Sequence, residues 1–246
     1  MDLYFSNTVD QDPTNSSNWW DGTGGSGTNG YTPTTSDDCY IDAGQTCSTS
    51  NFDFLTLTVN GTLTDNVSGK TANANYGTIT TNSSGATVSS NYGVVGTNNG
   101  NITNRNSGGS TTNEYEVASV PAGYSVTNLY ASIDTNNGTI SNVTSSVSVS
   151  NNNSLITTNN GTVVTNGSQI TTNNGVVNSN VWNIVTNSSS GTVGANTGTI
   201  TTNNGAVYIG TITGGSGNLG ASATTNLSSH TAGVNVTFPT TPINWW

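Results

Sequence analysis

Apolar residues along this chain recur at a fixed step. Val163, Ile170, Val177 and Ile184 are seven apart, and Val193, Ile200 and Val207 resume the step after a slip of two. The same step links Val88, Val95 and Ile102, and also Ile140 and Val147. Between the apolar positions lie polar corners written Asn-Asn-Gly, Asn-Thr-Gly or Asn-Tyr-Gly, most plainly in residues 157–177 (TTNNGTVVTNGSQITTNNGVV). A coiled coil would need two apolar positions per heptad, and most of these units have one. Val, Ile and the flanking Thr favour extended backbone, and Gly costs a helix interior about 1 kcal/mol relative to Ala. Asn and Gly both tolerate positive φ, so Asn-Asn-Gly reads as a tight corner. The unit is therefore a short strand and a corner. In Thr199-Ile200-Thr201 the two-residue period points Ile inward and both Thr outward.

A single strand of this kind cannot bury its apolar side chain, whereas stacked coils build a continuous thin core. The pattern predicts an all-β chain folded as a parallel β-solenoid (β-helix), with about seven residues per strand-plus-corner unit. Asn at equivalent corners would form ladders along the stack. Two strands per coil give a repeat of about 14 and three give about 21. TTNNG at 157–161 and 171–175 fits two strands, but TTNNG at 201–205 fits neither, so the number of faces stays open.

Five segments follow. Residues 1–54, with Trp19, Trp20 and most of the Asp, read as an N-terminal cap or attachment segment. Residues 55–105 are a first solenoid block, with Leu57, Leu63, Ile79, Val88, Val95 and Ile102 as core. Residues 106–134 hold Pro121, both Glu and three Tyr and lack the corner motif, so they read as an irregular insert or lateral excursion. Residues 135–213 are the regular block, and 214–246 form a C-terminal cap or tail ending in Trp245 and Trp246. At the start of the first block, Phe52, Phe54, Thr56 and Thr58 alternate with Leu55, Leu57 and Val59.

Tyr4-Phe5, Asn18-Trp19, Pro33 and Asp37-Asp38-Cys39-Tyr40-Ile41 together resemble the opening of the repetitive parallel β-helix surface and fibre proteins of bacteria and phages. The resemblance covers about the first 60 residues, and Cys39 stands where those proteins usually carry Val or another apolar residue. It implies a capped, right-handed β-helix and no catalytic residue. The first coil of a solenoid exposes an edge that must be covered, and Trp19, Trp20, Phe52 and Phe54 suit that role.

Charge narrows the function. Only 6% of the 246 residues are charged, against roughly a quarter in ordinary domains. Val, Ile and Thr in register argue for order over disorder. A net charge of −10 with two basic residues argues against nucleic acid and against anionic membranes as partners. No run of about 20 apolar residues is present. MDLYFSNTVD lacks the basic start and apolar core of an export signal. That fits a protein assembled in a cell and released by lysis, or one whose signal was removed.

Candidate chemistry is sparse. Glycan hydrolysis needs paired carboxylates. Glu114 and Glu116, two apart, are expected to share a strand face as a solvated pair. Asp37, Asp38 and Asp42 are weak Ca²⁺ candidates, and His230 reads as a loop residue. Tyr115, Tyr124, Tyr130 and Trp182 are candidates for stacking on sugars, with Trp245 and Trp246 as partner contacts. Cys39 and Cys47 form either a disulfide or a pair of small buried residues. Thr78/Thr80, Thr199/Thr201 and Thr211/Thr213 locally fit the Thr-x-Thr pattern of ice-binding solenoids. The expectation is a non-enzymatic fibre, spike or decoration protein of a phage or virus particle, without cofactor. Its partners would be itself, as a homotrimer or an end-to-end stack, and other virion or surface proteins. The alternatives are a carbohydrate-binding adhesin or filament subunit at the cell surface or outside the cell, and an ice-binding protein.

Overall fold

The structure is a computed structural model that describes residues 1–203, 205–209, 217–218, 225–227 and 236–237. It is an all-β parallel solenoid. The regular strand is five residues long, and its second and fifth positions are buried. Thr162–Asn166 buries Val163 and Asn166, Gln169–Asn173 buries Ile170 and Asn173, and Val176–Asn180 buries Val177 and Asn180. Corners of two residues join these strands, and successive strands alternate between two sheets. Thr162 pairs with Val176, and Gln169 with Asn183, each 14 residues on. A coil therefore has two strands and two faces, which decides the number left open by the sequence.

The slip of two also has a structural form. Some corners contain four residues, as in Ser188 to Gly191 between Asn187 and Thr192. A coil with one such corner is 16 residues long, so Val176 pairs with Thr192 and Asn183 with Thr199. The strand register is kept because the additional residues stay in the corner.

The two corner types use glycine for different reasons. The longer corners place Gly69, Gly85 and Gly108 at φ near +80° to +88°, where a side chain is strained. The short Asn-x-Gly corners do not use positive φ, contrary to the sequence expectation. There, a Cβ added to Gly77, Gly93 or Gly175 would overlap the carbonyl oxygen of Gly61, Gly77 or Gly161 in the preceding coil. Close approach of stacked backbones, not turn geometry, demands these glycines.

The chain divides into two compact units, Met1–Val117 with Gly123–Thr127, and Ala118–Ala122 with Asn128–Trp246. In the first unit, Asp38–Ile41, Thr56–Val59, Thr71–Asn75, Thr87–Asn91 and Asn101–Arg105 stack as parallel neighbours in one sheet. The stack thus begins within the segment that the sequence assigned to the cap. Asp2–Phe5 adds in parallel to the open edge at Asp38–Ile41, and Trp19–Gly22 and Ser26–Asn29 continue antiparallel from it. Trp19 is fully buried, its ring 5.2 Å from Phe5 and 5.0 Å from Phe52, and its Nε1 donates to the Pro13 carbonyl at 2.7 Å. Phe54 packs partly buried on this cluster, and Trp20 is half-buried. Leu57, Leu63, Ile79, Val88, Val95 and Ile102 are all buried, as expected. Leu55 departs from the expected alternation: it precedes the strand Thr56–Val59 and is exposed.

Residues 106–134 remain largely in strands. Ser110–Glu114 pairs in register with Val94–Asn98, and Ser119–Val120 pairs with Ile133–Asn136. The segment consists of irregular coils and does not leave the stack. In the second unit, alternate strands from Ile133–Asn136 to Ala206–Ile209 form one sheet, and those from Thr139–Val143 to Thr199–Asn203 form the facing one. No helix among the described residues is long and apolar enough to cross a membrane.

Candidate functional site

The most concentrated chemistry lies inside the corners, where the fifth strand position carries a fully buried Asn. In the first unit Ser50 donates to Asn66 at 3.0 Å, Asn66 to Asn82 at 2.8 Å, and Asn82 to Asn98 at 2.7 Å. Each of these amides spends its other N–H on a backbone carbonyl: Asn66 on Thr87 and Asn82 on Asn101. The opposite corner carries Asn75, which donates to Asn91 at 2.7 Å. The second unit repeats the device in Asn136, Asn152, Asn166, Asn180 and Asn196, with links of 2.7–2.8 Å, and in Asn159, Asn173 and Asn187 at 2.8 Å. A buried amide is tolerated only when its donors and acceptors are paired. Here the pairing comes from the coils above and below, and Asn75 Oδ1, at the start of its ladder, is the exception.

A ladder whose donors all point one way ends on an N–H that needs an acceptor. In the first unit two of the sequence candidates supply it. Asn98 donates to Glu114 Oε1 at 2.6 Å, and Asn91 donates to the Tyr124 hydroxyl at 2.9 Å, which also bonds the Thr111 hydroxyl at 2.6 Å. Glu114 is fully buried and faces the Arg105 guanidinium at 3.3 Å. Arg105 in turn donates to the carbonyls of Ile102 and Glu116 at 2.7 and 2.8 Å. Burial pushes the Glu114 carboxyl above its usual range, and Arg105 and the Asn98 N–H oppose the shift.

That shift has a pH signature of definite sign. An acid whose folded pKa is raised holds its proton more tightly in the fold, so its contribution to stability falls as pH rises through that window and is level above it. Subtracting the urea unfolding midpoints of Glu114→Gln from those of the wild type isolates this contribution. The difference is expected to decline with pH from the ordinary carboxylate range upward; a difference that rises with pH would contradict the buried placement.

The other candidates do not converge. Glu116 is exposed beyond the end of the strand Ser110–Glu114, so the two Glu do not share a face as expected. Tyr124, expected at the surface, is 1% exposed, whereas Tyr115 and Tyr130 are 45% and 42% exposed. Asp37 accepts from the N–H and hydroxyl of Thr34, Asp38 from the Thr56 hydroxyl, and Asp42 from the Gly24 N–H. These carboxylates have separate partners, Asp38 across a strand pair and the other two at loops, and no group of three metal-ligating side chains forms among the described residues. His230, Trp245, Trp246 and Thr211/Thr213 lie outside the described residues.

Cys39 and Cys47 are free and buried, one on each facing sheet, and the Cys47 thiol contacts the Thr49 carbonyl at 3.2 Å. Burial pushes both thiols up to about 12. Iodoacetamide at pH 8 is therefore expected to leave both unlabelled in the folded chain and to label both in denaturant. Rapid labelling without denaturant would contradict this packing.

Two surface features stand out from the repeat. Tyr76 and Tyr92 occupy the same corner of successive coils and stack with ring centroids 5.0 Å apart and planes 7° from parallel. The sequence signal was their shared Asn-Tyr-Gly corner at a spacing of 16. Val181 and Trp182 form a corner that is 51% and 63% exposed. The Thr-x-Thr pairs point outward around Ile79 and Ile200, but Val94 lies beside Thr78 and Asn183 beside Thr199, so each array is broken at the next coil.

No protein-family model matches the chain, and no curated protein or solved structure matches it.

Proposed function

We propose that this chain is a non-enzymatic structural protein, a fibre, spike or decoration subunit of a virus particle. The observation that carries this reading is the fate of its ionisable chemistry. The buried carboxylate Glu114 terminates an amide ladder and is neutralised by Arg105, so it serves the stack and not a substrate. The regular block from residue 135 to 213 carries no Asp, Glu, Lys, Arg, His or Cys, which leaves it with no acid–base pair. Coils joined by backbone hydrogen bonds and continuous amide ladders form a stiff element suited to bearing load. The resemblance of residues 1–60 to the start of phage and bacterial surface proteins supports the placement on a particle, and symmetric self-assembly is the usual state of such subunits.

Immunogold electron microscopy of the producing culture, with antibody against residues 135–213, tests this reading. Gold on virus particles is the expected result. Gold on cell surfaces or free filaments would replace it with the alternative, a host adhesin or filament subunit. The broken Thr columns give the ice-binding reading no support, and no thermal hysteresis is expected from the purified protein.

A further inference from the structure

We propose that the corner around Trp182 is a binding site for a neutral oligosaccharide. The residues that share the register position of Trp182, coil after coil, are Gly138, Ser154, Ser168, Trp182 and Gly198, as fixed by the pairing of the strands that follow. Four of the five are small. The repeat therefore does not require a large side chain here, and the indole stands largely exposed at the corner. At 63% exposure it is the most exposed large apolar side chain among the described residues of its unit.

The setting suits a sugar ring. Trp182 lies in an open hollow of about 510 Å³ lined by Val181, Asn183, Gly198 and Thr199. Gly198, the neighbour of Trp182 in the following coil, carries no side chain, and a Cβ there would overlap the Trp182 backbone carbonyl. Asn183 and Thr199 add an amide and a hydroxyl to the lining of the same hollow. A pyranose presents the same combination in complement, with C–H groups on its faces and hydroxyls at its rim. After Asp134 the sequence holds no Asp, Glu, Lys or Arg, so nothing here compensates a charged ligand, and a neutral glycan is selected.

The platform is also rigid. The Val181 N–H donates to Asn166 at 2.9 Å, the Gly198 N–H to Asn180 at 3.2 Å, and the Thr199 N–H to Trp182 at 2.7 Å, all at backbone carbonyls. The buried Asn180 amide reaches the Trp182 carbonyl at 3.4 Å. The corner that carries the indole is thus tied to the coils on both sides, and little ordering remains to be done on binding.

The test is isothermal titration of the full chain with cellohexaose, maltohexaose, mannohexaose and chitohexaose, with polygalacturonate as the acidic comparison. At least one neutral hexaose is expected to bind. Trp182→Ala should weaken binding about tenfold or more, Trp182→Phe less, and Tyr76→Ala not at all. Circular dichroism of each variant confirms the fold. Absence of binding by every neutral hexaose at millimolar concentration overturns the proposal, and so does binding that Trp182→Ala leaves unchanged. Self-association abolished by Trp182→Ala would assign the corner to a second copy of the chain, and would equally overturn it.

Discussion

Replacing Asn166 by Leu is expected to destabilise the protein by about 3–5 kcal/mol, a large share of a domain's stability. Leu has the same branching as Asn, though it is bulkier, and would satisfy the hydropathy of a buried site. It would nevertheless strand two partners. Asn152 now donates to Asn166 Oδ1, and Asn166 donates to Asn180 Oδ1, each at 2.7–2.8 Å. A buried polar group left unpaired costs about 1–3 kcal/mol, and the bulkier methyl groups add strain. Thr165→Ala, on the outer face of the same strand, should change stability by no more than about 0.5 kcal/mol. Urea unfolding midpoints measure both. Equal effects would show that the ladder is incidental. Asn166→Asp sharpens the test. As a carboxylate it accepts from Asn152 but has no proton for Asn180, and burial raises its folded pKa. Its deficit should therefore be largest at neutral pH and shrink as pH falls. Glu114 shows the one ladder position where a carboxylate fits, at an end where only an acceptor is required and Arg105 supplies the counter-charge.

The seven-residue step made the solenoid and its apolar core legible, and Ile200 between two outward Thr followed from strand alternation alone. The Asn ladders along the stack were expected and are present, but their burial and the residues that end them were harder to read. Asn, Glu and Tyr count as surface residues when judged singly, because burial penalises an unsatisfied polar atom. Their satisfaction here comes from residues 14 or 16 positions away, so burial becomes visible only once the coil length is known. With that length in hand, Glu114 is seen to stand 16 residues after Asn98, in the Asn column and not on a surface. Tyr124 carried no such signal. Its side chain crosses from an irregular coil to cap Asn91, 33 residues earlier. Trp182 was visible as an aromatic residue, but its significance depended on register, which aligns it with glycines and serines.

Glycine offers the second large effect, and three substitutions to Ala separate its causes. Gly175→Ala is expected to cost more than about 3 kcal/mol. Its added Cβ would overlap the Gly161 carbonyl oxygen and crowd the Asn160 carbonyl carbon, at 2.8 Å. Both are backbone atoms of the next coil, which cannot yield without breaking the coil-to-coil hydrogen bonds, such as Gly175 N–H to Asn159 at 3.0 Å. Gly85→Ala meets a different obstacle. Its φ is +80°, and its nearest neighbour is the Ser68 hydroxyl at 2.6 Å, the movable end of a side chain. The expected loss there is about 1 kcal/mol, that of holding a side chain in the left-handed region. Gly167 has the mildest constraint. It is exposed, and its nearest contact would be the Asn152 carbonyl at 3.3 Å, a tight approach that a shift of a few tenths of an ångström relieves. Ala there should change stability by less than about 1 kcal/mol, because the lowered freedom of the unfolded chain offsets that contact. The order Gly175, Gly85, Gly167 in urea midpoint is thus a measure of how tightly coils stack. A reversal of the first two would mean that turn conformation, not the approach of neighbouring backbones, fixes glycine in the Asn-x-Gly corner.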